Sequence, residues 1–134
     1  MAYKNSEITP IIEDGLLASR RNAVPKTIPV SVNTTNADGG TLLPIGMVLV
    51  LVTDEADPDA GLYREFNDAA VNGQQLEGDA MVLAHRLDLT QAGDRDSMAA
   101  SAYITAQLKR SKVIVPATFD WANVPRLILW PRQA

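Results

Sequence analysis

Carboxylates are concentrated in the segment that follows the most apolar stretch of the chain. Residues 53–61 carry four acids, arranged around Pro58. A hard cation such as Ca²⁺ needs several carboxylates that converge from a flexible loop. The spacing does not match the EF-hand pattern, and Pro58 falls among the candidate ligands. We therefore predict a solvated acidic loop rather than a calcium site, and no metal.

Other residues that could perform catalysis are sparse. His85 is the only histidine, and the sequence has no cysteine. One histidine cannot form a multi-histidine metal site, and no serine or acid stands at a spacing that marks a catalytic triad. Carboxylates such as Asp54, Asp57 or Asp88 can perform acid-base chemistry only where the fold separates their pKa values. A small carboxylate-dependent enzyme stays an alternative, but we predict no catalytic residue and no cofactor.

Composition limits the classes of protein to consider. The chain has 134 residues, of which 46% are hydrophobic, which suits one packed domain. Aromatic residues make up 5% and the net charge is -4, so we expect no nucleic-acid partner. The polar amino terminus and the lack of an apolar run of membrane-helix length predict a soluble protein made in the cytoplasm, with no membrane partner.

Charge is unevenly distributed along the chain. Residues 54–96 carry eleven acids and three arginines, whereas residues 109–134 carry five bases and one acid. We favour the interpretation that these are solvated faces. The alternative is that the acidic patch of one copy meets the basic patch of the next in a symmetric assembly.

The chain is organised around residues 42–90, where two apolar runs enclose the acidic segment. Residues 47–52 are continuously apolar, which predicts a strand buried on both faces. Residues 80–84 predict a second buried strand, which an alternating run continues to Thr90. Between them, residues 62–66 predict a shorter strand, and Asn72-Gly73 predicts a turn.

The carboxy-terminal third predicts two further strands. Within residues 97–112 the run from Ala102 to Lys109 alternates at period two, which favours a strand although good helix formers occur at the start of the segment. Residues 118–126 predict a turn or one short helix capped at Thr118 or Asp120. Residues 127–130 predict a last short strand. Trp121 and Trp130 are either anchors of an interface or packing residues of a small core.

The amino-terminal region predicts an arm outside the core. In residues 1–26 the apolar positions are interrupted by Pro10, Gly15 and the pair Arg20-Arg21, so no stable helix is expected. The arm either orders on a partner or is an ordinary disordered terminus. Residues 27–32 alternate around Pro29, which predicts an edge strand that pairs on one side only. We thus divide the chain into a flexible arm, residues 1–26, and one β-rich domain, residues 27–134.

The order and spacing of these landmarks over residues 43–112 resemble the lambdoid phage head decoration proteins, the protein D family. The family shows a Pro-x-Gly-x-Val-Leu strand, an aromatic strand, a turn with Asp-Gly or Asn-Gly, a strand ending in Val-Leu or Ile-Leu, and an Asp-x-Thr. The matching residues are Pro44 to Leu49, Tyr63 to Phe66, Asn72-Gly73, Val82-Leu83 and Asp88 to Thr90. The chain departs from the family at residues 106–108, where Gly-Glu-Val is common.

The resemblance implies a mostly β, barrel-like domain of the β-tulip type with little helix. It implies a homotrimer that binds the major capsid protein at three-fold and quasi-three-fold sites of the expanded head and stabilises it against genome pressure. The protein would then lie on the capsid exterior of the virion, after assembly in the host cytoplasm. The alternative is another β-rich virion protein, such as a tail or fibre subunit. The arm and edge strand would contact the shell, through Leu16, Leu17, Arg20, Arg21, Val24, Ile28 and Val30.

Overall fold

The structure is a computed structural model that describes residues 15–131. These residues are mostly β, as predicted, with 41% of them in strands and only short 3-10 turns as helix among them. The strands in chain order are β1 (Leu17–Ser31), β2 (Leu42–Leu43), β3 (Val48–Leu51), β4 (Tyr63–Glu65), β5 (Met81–Leu83), β6 (Leu87–Asp88), β7 (Ser97–Lys109) and β8 (Leu127–Trp130). The 3-10 turns are Leu89–Ala92, Arg110–Lys112 and Trp121–Asn123.

Five strands close into a ring in the order β1, β4, β3, β5, β7, because β7 also pairs with β1. All these pairings are antiparallel except that of β1 with β4, which is parallel and joins Val30 to Tyr63. β8 pairs in parallel with residues 106–109 of β7. β2 and β6 form a separate two-stranded sheet.

The predicted strands at 47–52 and 80–84 are confirmed as β3 and β5, and both are buried on both faces. Leu49 and Leu83 belong to one hydrophobic cluster, which also contains Ile28 of β1. Val48 and Val82 belong to a second cluster, which continues to residues of β8. The continuous apolar runs therefore exist because the sheet lies between two cores.

A β-bulge lets the single long strand β7 serve both cores. Pro25 of β1 pairs with Tyr103, and the preceding Val24 pairs with Thr105, so β7 has one extra residue at Ile104. Such an insertion changes the face to which the following side chains point. As a result the buried alanines before the bulge, Ala100 and Ala102, face the first cluster, whereas Ala106 and Leu108 face the second.

Three sequence predictions differ from the structure. The predicted edge strand at 27–32 is the end of the much longer β1, and its Val30 pairs on both sides, with Met98 and Tyr63. The boundary between arm and domain at residue 26 falls inside β1, while residues 1–14 lie outside the described residues. The predicted continuation of β5 to Thr90 is also wrong, because the chain turns after Leu83. It forms β6, and the Asp88 side chain then caps a 3-10 turn by accepting from Thr90 N.

Candidate interaction surface

Three strands lie side by side at one end of the molecule and form the surface that we call the three-stranded end. It comprises residues 17–24 of β1, residues 105–112 in and after β7, and β8. The register places Leu17 opposite Leu108 and Ser19 opposite Gln107. On the other side of β7, Ile128 lies opposite Gln107, and Trp130 lies opposite Lys109.

β1 bulges outward within this surface. Five steps along β1, from Ser19 to Val24, match only two steps along β7, from Gln107 to Thr105, so three residues of β1 are extra. Asn22 adopts a φ of 60°, the left-handed conformation that asparagine tolerates well among non-glycine residues. The hydroxyl of Ser19 accepts a hydrogen bond from the amide of Arg21 at 3.1 Å. This local structure holds the side chains of Arg20 and Arg21 in solvent.

The three-stranded end is strongly basic. Its segments carry Arg20, Arg21, Lys109, Arg110 and Lys112, and within these segments there is no aspartate or glutamate. The Arg110 guanidinium donates to the carbonyl of Pro131 at 3.0 Å. Because a carbonyl carries no formal charge, this contact does not neutralise the guanidinium. Concentrated charge of one sign attracts partners of the opposite sign and raises their rate of association. The surface is therefore complementary to an acidic partner.

The outer edge of β1 beside the basic bulge is not paired with another strand of the described residues. Among residues 15–131, β1 pairs on its second side only at Val30. Its backbone from Leu17 to Thr27 therefore presents one row of strand edge to its surroundings. An exposed edge of this kind is a template to which an extended segment of another chain can add as a further strand.

The structure separates the seven predicted contact residues of β1 and its neighbourhood into two groups. The side chains of Leu16, Ile28 and Val30 are buried in the two cores, and Leu17 is half-buried against the second core, so these four hold β1 to the domain. The exposed residues are Arg20, Arg21 and Val24, and all three lie at the three-stranded end.

The two tryptophans also have different positions. Trp121 is half-buried and packs edge to face on Phe119, with ring centroids 4.7 Å apart, which is the packing role. Trp130 is 39% exposed, and its indole donates to Gln107 Oε1 at 3.0 Å. Trp130 therefore joins the exposed arginines at the three-stranded end. Sequence reasoning did not assign Lys109, Arg110 and Lys112 to a site, although the basic excess after residue 109 was the available signal.

The acidic loop lies at the opposite end of β1 and is more structured than predicted. Asp59 is only 5% exposed, so the prediction of a solvated loop is wrong for this residue. Its carboxylate accepts from Ser31 Oγ at 2.8 Å, from Asn33 Nδ2 at 3.2 Å and from Arg64 NH1 at 3.3 Å. Hydrogen bonding by Asn72 lowers the pKa of the neighbouring Asp57. Within the described part of the chain, no three acidic, histidine or cysteine side chains come together as metal ligands.

Comparison with known proteins gives no match to this chain, either among protein-family models or among curated proteins. Over residues 15–131, no helix is long and apolar enough to cross a membrane.

Proposed function

We propose that this protein is a phage capsid decoration protein, which binds the major capsid protein as a homotrimer at three-fold and quasi-three-fold sites of the expanded head. The landmark residues of the protein D family support this proposal, and so does the mostly β domain in which those landmarks lie. The observation that carries it is the open edge of β1 beside the exposed arginines of the bulge. That combination suits an extended segment of a protein partner.

In this proposal the three-stranded end contacts the shell by strand addition. Backbone hydrogen bonds along the edge of β1 provide affinity, and Arg20, Arg21 and Trp130 provide register and charge complementarity. Three linked copies would add their weak contacts through effective concentration. Because the trimer binds the expanded lattice and not its precursor, it stabilises the expanded state by mass action.

Co-sedimentation with expanded and unexpanded heads tests the proposal. We expect binding to expanded heads alone, and equal binding to both would overturn it. Assembly of the purified protein into open-ended polymers, in place of a closed trimer, would instead indicate a tube or fibre subunit.

Point variants locate the contact better than deletion of residues 1–26, which would remove most of β1 from the core. The double variant Arg20→Glu and Arg21→Glu should weaken binding by at least about tenfold, since each reversed contact with an acidic partner costs on the order of 1 kcal/mol. Arg86→Glu is the matched control, because Arg86 is an exposed base outside both the three-stranded end and the open edge of β1. It should change affinity by less than about twofold, and the loss in the double variant should shrink at high salt.

A further inference from the structure

The turn between β4 and β5 contains an asparagine that is followed by glycine. Asn72 is the only asparagine of the sequence that precedes a glycine. Because glycine has no Cβ, its backbone nitrogen can approach the preceding side chain without steric hindrance. That nitrogen can then attack the carboxamide carbon of the asparagine, which is the first step of deamidation. Of all asparagines in the chain, Asn72 therefore has the most reactive sequence context.

The fold requires glycine at position 73. Gly73 has a φ of 115°, which a side chain would strain. A Cβ at this position would also lie 2.6 Å from the amide nitrogen of Thr53 and 2.8 Å from the carbonyl oxygen of Leu51. Both are backbone atoms at the end of β3 or just after it, so they cannot move aside as a flexible side chain can. The packing of this turn thus makes a reactive Asn-Gly pair necessary.

Hydrogen bonds hold both groups that would react. The Gly73 amide donates to Gln75 Oε1 at 2.9 Å. The carboxamide nitrogen of Asn72 donates to Asp57 Oδ2 and to Gln74 Oε1, each at 2.9 Å. The carboxamide oxygen of Asn72 accepts from the amide of Gln74 at 3.0 Å. Attack requires the Gly73 amide to lose its proton and the carboxamide to turn toward it, and these hydrogen bonds oppose both changes.

The backbone of the turn is also fixed to the start of the acidic loop. The carbonyl oxygen of Asn72 accepts from the amide of Thr53 at 2.9 Å and from that of Asp54 at 3.0 Å. Gly73 itself is buried. Reaction in the folded protein therefore requires the turn to separate locally from the acidic loop, and the population of that open state limits the rate.

We propose that Asn72 is a deamidation site, that the hydrogen bonds of the turn slow its reaction, and that the product loosens the acidic loop. A solvent base removes the Gly73 amide proton, and the nitrogen lone pair forms a bond to Cγ of Asn72. The bond from Cγ to Nδ2 breaks, and Nδ2 leaves as ammonia. Water then opens the cyclic imide to aspartate or isoaspartate.

The product changes the contacts of the acidic loop. A carboxylate at position 72 has no Nδ2 donor, and it would face the carboxylate of Asp57, which lies at hydrogen-bond distance from that donor in the unmodified turn. Two like charges at this separation repel each other. The inference is independent of what the protein binds, and it stands apart from the proposed function.

Peptide mass mapping of the full-length protein tests the protection. The protein is incubated at mildly alkaline pH, both folded and in concentrated urea, and the gain of about one mass unit at Asn72 is followed with time. We expect the folded protein to react at least about tenfold more slowly, since several hydrogen bonds must open together. Equal rates in the two conditions would overturn the proposal.

Two variants test which contacts slow the reaction. Gln75→Ala removes the acceptor of the Gly73 amide, and it should accelerate deamidation of the folded protein at least about threefold. Its matched control is Gln91→Ala, an exposed glutamine outside the turn, which should leave the rate within about 1.5-fold. Asp57→Ala removes an acceptor of the carboxamide and should also accelerate the reaction, whereas Glu55→Ala, an exposed acid of the same loop, should not. A variant that reacts no faster than its control would contradict the assigned contact.

Hydrogen exchange tests the effect of the product. In Asn72→Asp, the amides of Thr53 and Asp54 should exchange with deuterium at least about fivefold faster than in the natural sequence. Asn67→Asp is the matched control, because it adds a carboxylate to the same loop and keeps the oxygen that accepts from the amide of Ala69. It should retain the protection of both amides. Equal exchange in the two variants would refute the loosening of the acidic loop.

Discussion

Replacing Asp59 with alanine should destabilise the protein by about 2–4 kcal/mol, because this buried carboxylate ties three parts of the fold together. It accepts hydrogen bonds from Ser31 at the end of β1, from Asn33 in the next loop and from Arg64 of β4. Arg64 pairs with Val50 of β3, and the preceding Tyr63 pairs both with Val30 of β1 and with Leu51 of β3. Loss of Asp59 should therefore weaken the pairing of β1 with β4, which closes the ring.

The magnitude follows from the exposure of the partners. A hydrogen bond to a charged group contributes roughly 1.5–3 kcal/mol, and removing one member of a fully buried ion pair costs about 3–5 kcal/mol. Arg64 is 22% exposed and keeps a contact with Glu65 Oε2 at 3.2 Å, so water and that carboxylate compensate part of the lost interaction. The estimate therefore falls below the cost for a fully buried pair.

Urea unfolding at neutral pH measures the effect. Glu55→Ala is the matched control, since Glu55 is an exposed acid of the same loop, and it should change the free energy of unfolding by less than about 0.5 kcal/mol. A double-mutant cycle of Asp59→Ala with Arg64→Met should give a coupling of at least about 1 kcal/mol. Equal unfolding midpoints for Asp59→Ala and Glu55→Ala would refute the reasoning.

Two further predictions concern a glycine and a titrating acid. In urea unfolding, Gly46→Ala should lower the free energy of unfolding by at least about 2 kcal/mol more than Gly61→Ala. Both glycines have positive φ, but of the two only Gly46 would bring its Cβ against a backbone atom, the carbonyl oxygen of Lys112. Equal losses of stability in the two variants would contradict this close packing. Asp57 should make stability fall with acidification. Because Asn72 lowers its pKa below the ordinary value of 3.8, the stabilisation is complete above that pH and is lost as the pH falls through the lower folded-state pKa. Unfolding midpoints at pH 7 and pH 3 should therefore differ less in Asn72→Ala than in the natural sequence, and an unchanged difference would exclude this role.

The strands that sequence reasoning located correctly are those with an uninterrupted local pattern. The runs at β3 and β5 are apolar at every position because both faces are covered, and β7 alternates from Ala102 to Lys109. The alternation did not reveal the bulge at Ile104. An extra residue changes both the register with the partner strand and the face on which side chains are buried. Both depend on residues that are distant in the sequence.

The amino half of β1 could not be predicted for a related reason. Three extra residues between Ser19 and Val24 break the alternation that would have marked a strand, so this stretch resembled an arm. The exposure of Arg20 and Arg21 was predictable from their charge. Their position at the same end of the molecule as Trp130 was not, because it requires the long-range pairing of β1 with β7 and of β7 with β8.

That pairing also places the basic and the acidic segments of the sequence at opposite ends of the molecule. β7 starts after Asp94 and Asp96 and ends before Arg110, and the antiparallel β1 runs from Arg20 and Arg21 toward the loop of acidic residues 53–61. The 13 residues of β7 separate the two ends by about 40 Å at the usual rise of a strand. Concentrated charge of one sign at an end of a protein steers partners of the opposite sign towards that end. An acidic surface would meet the three-stranded end first, where the edge of β1 is open, and the acidic loop would face away from it. In the proposed function, the strand register that closes the ring therefore also fixes which end faces the shell.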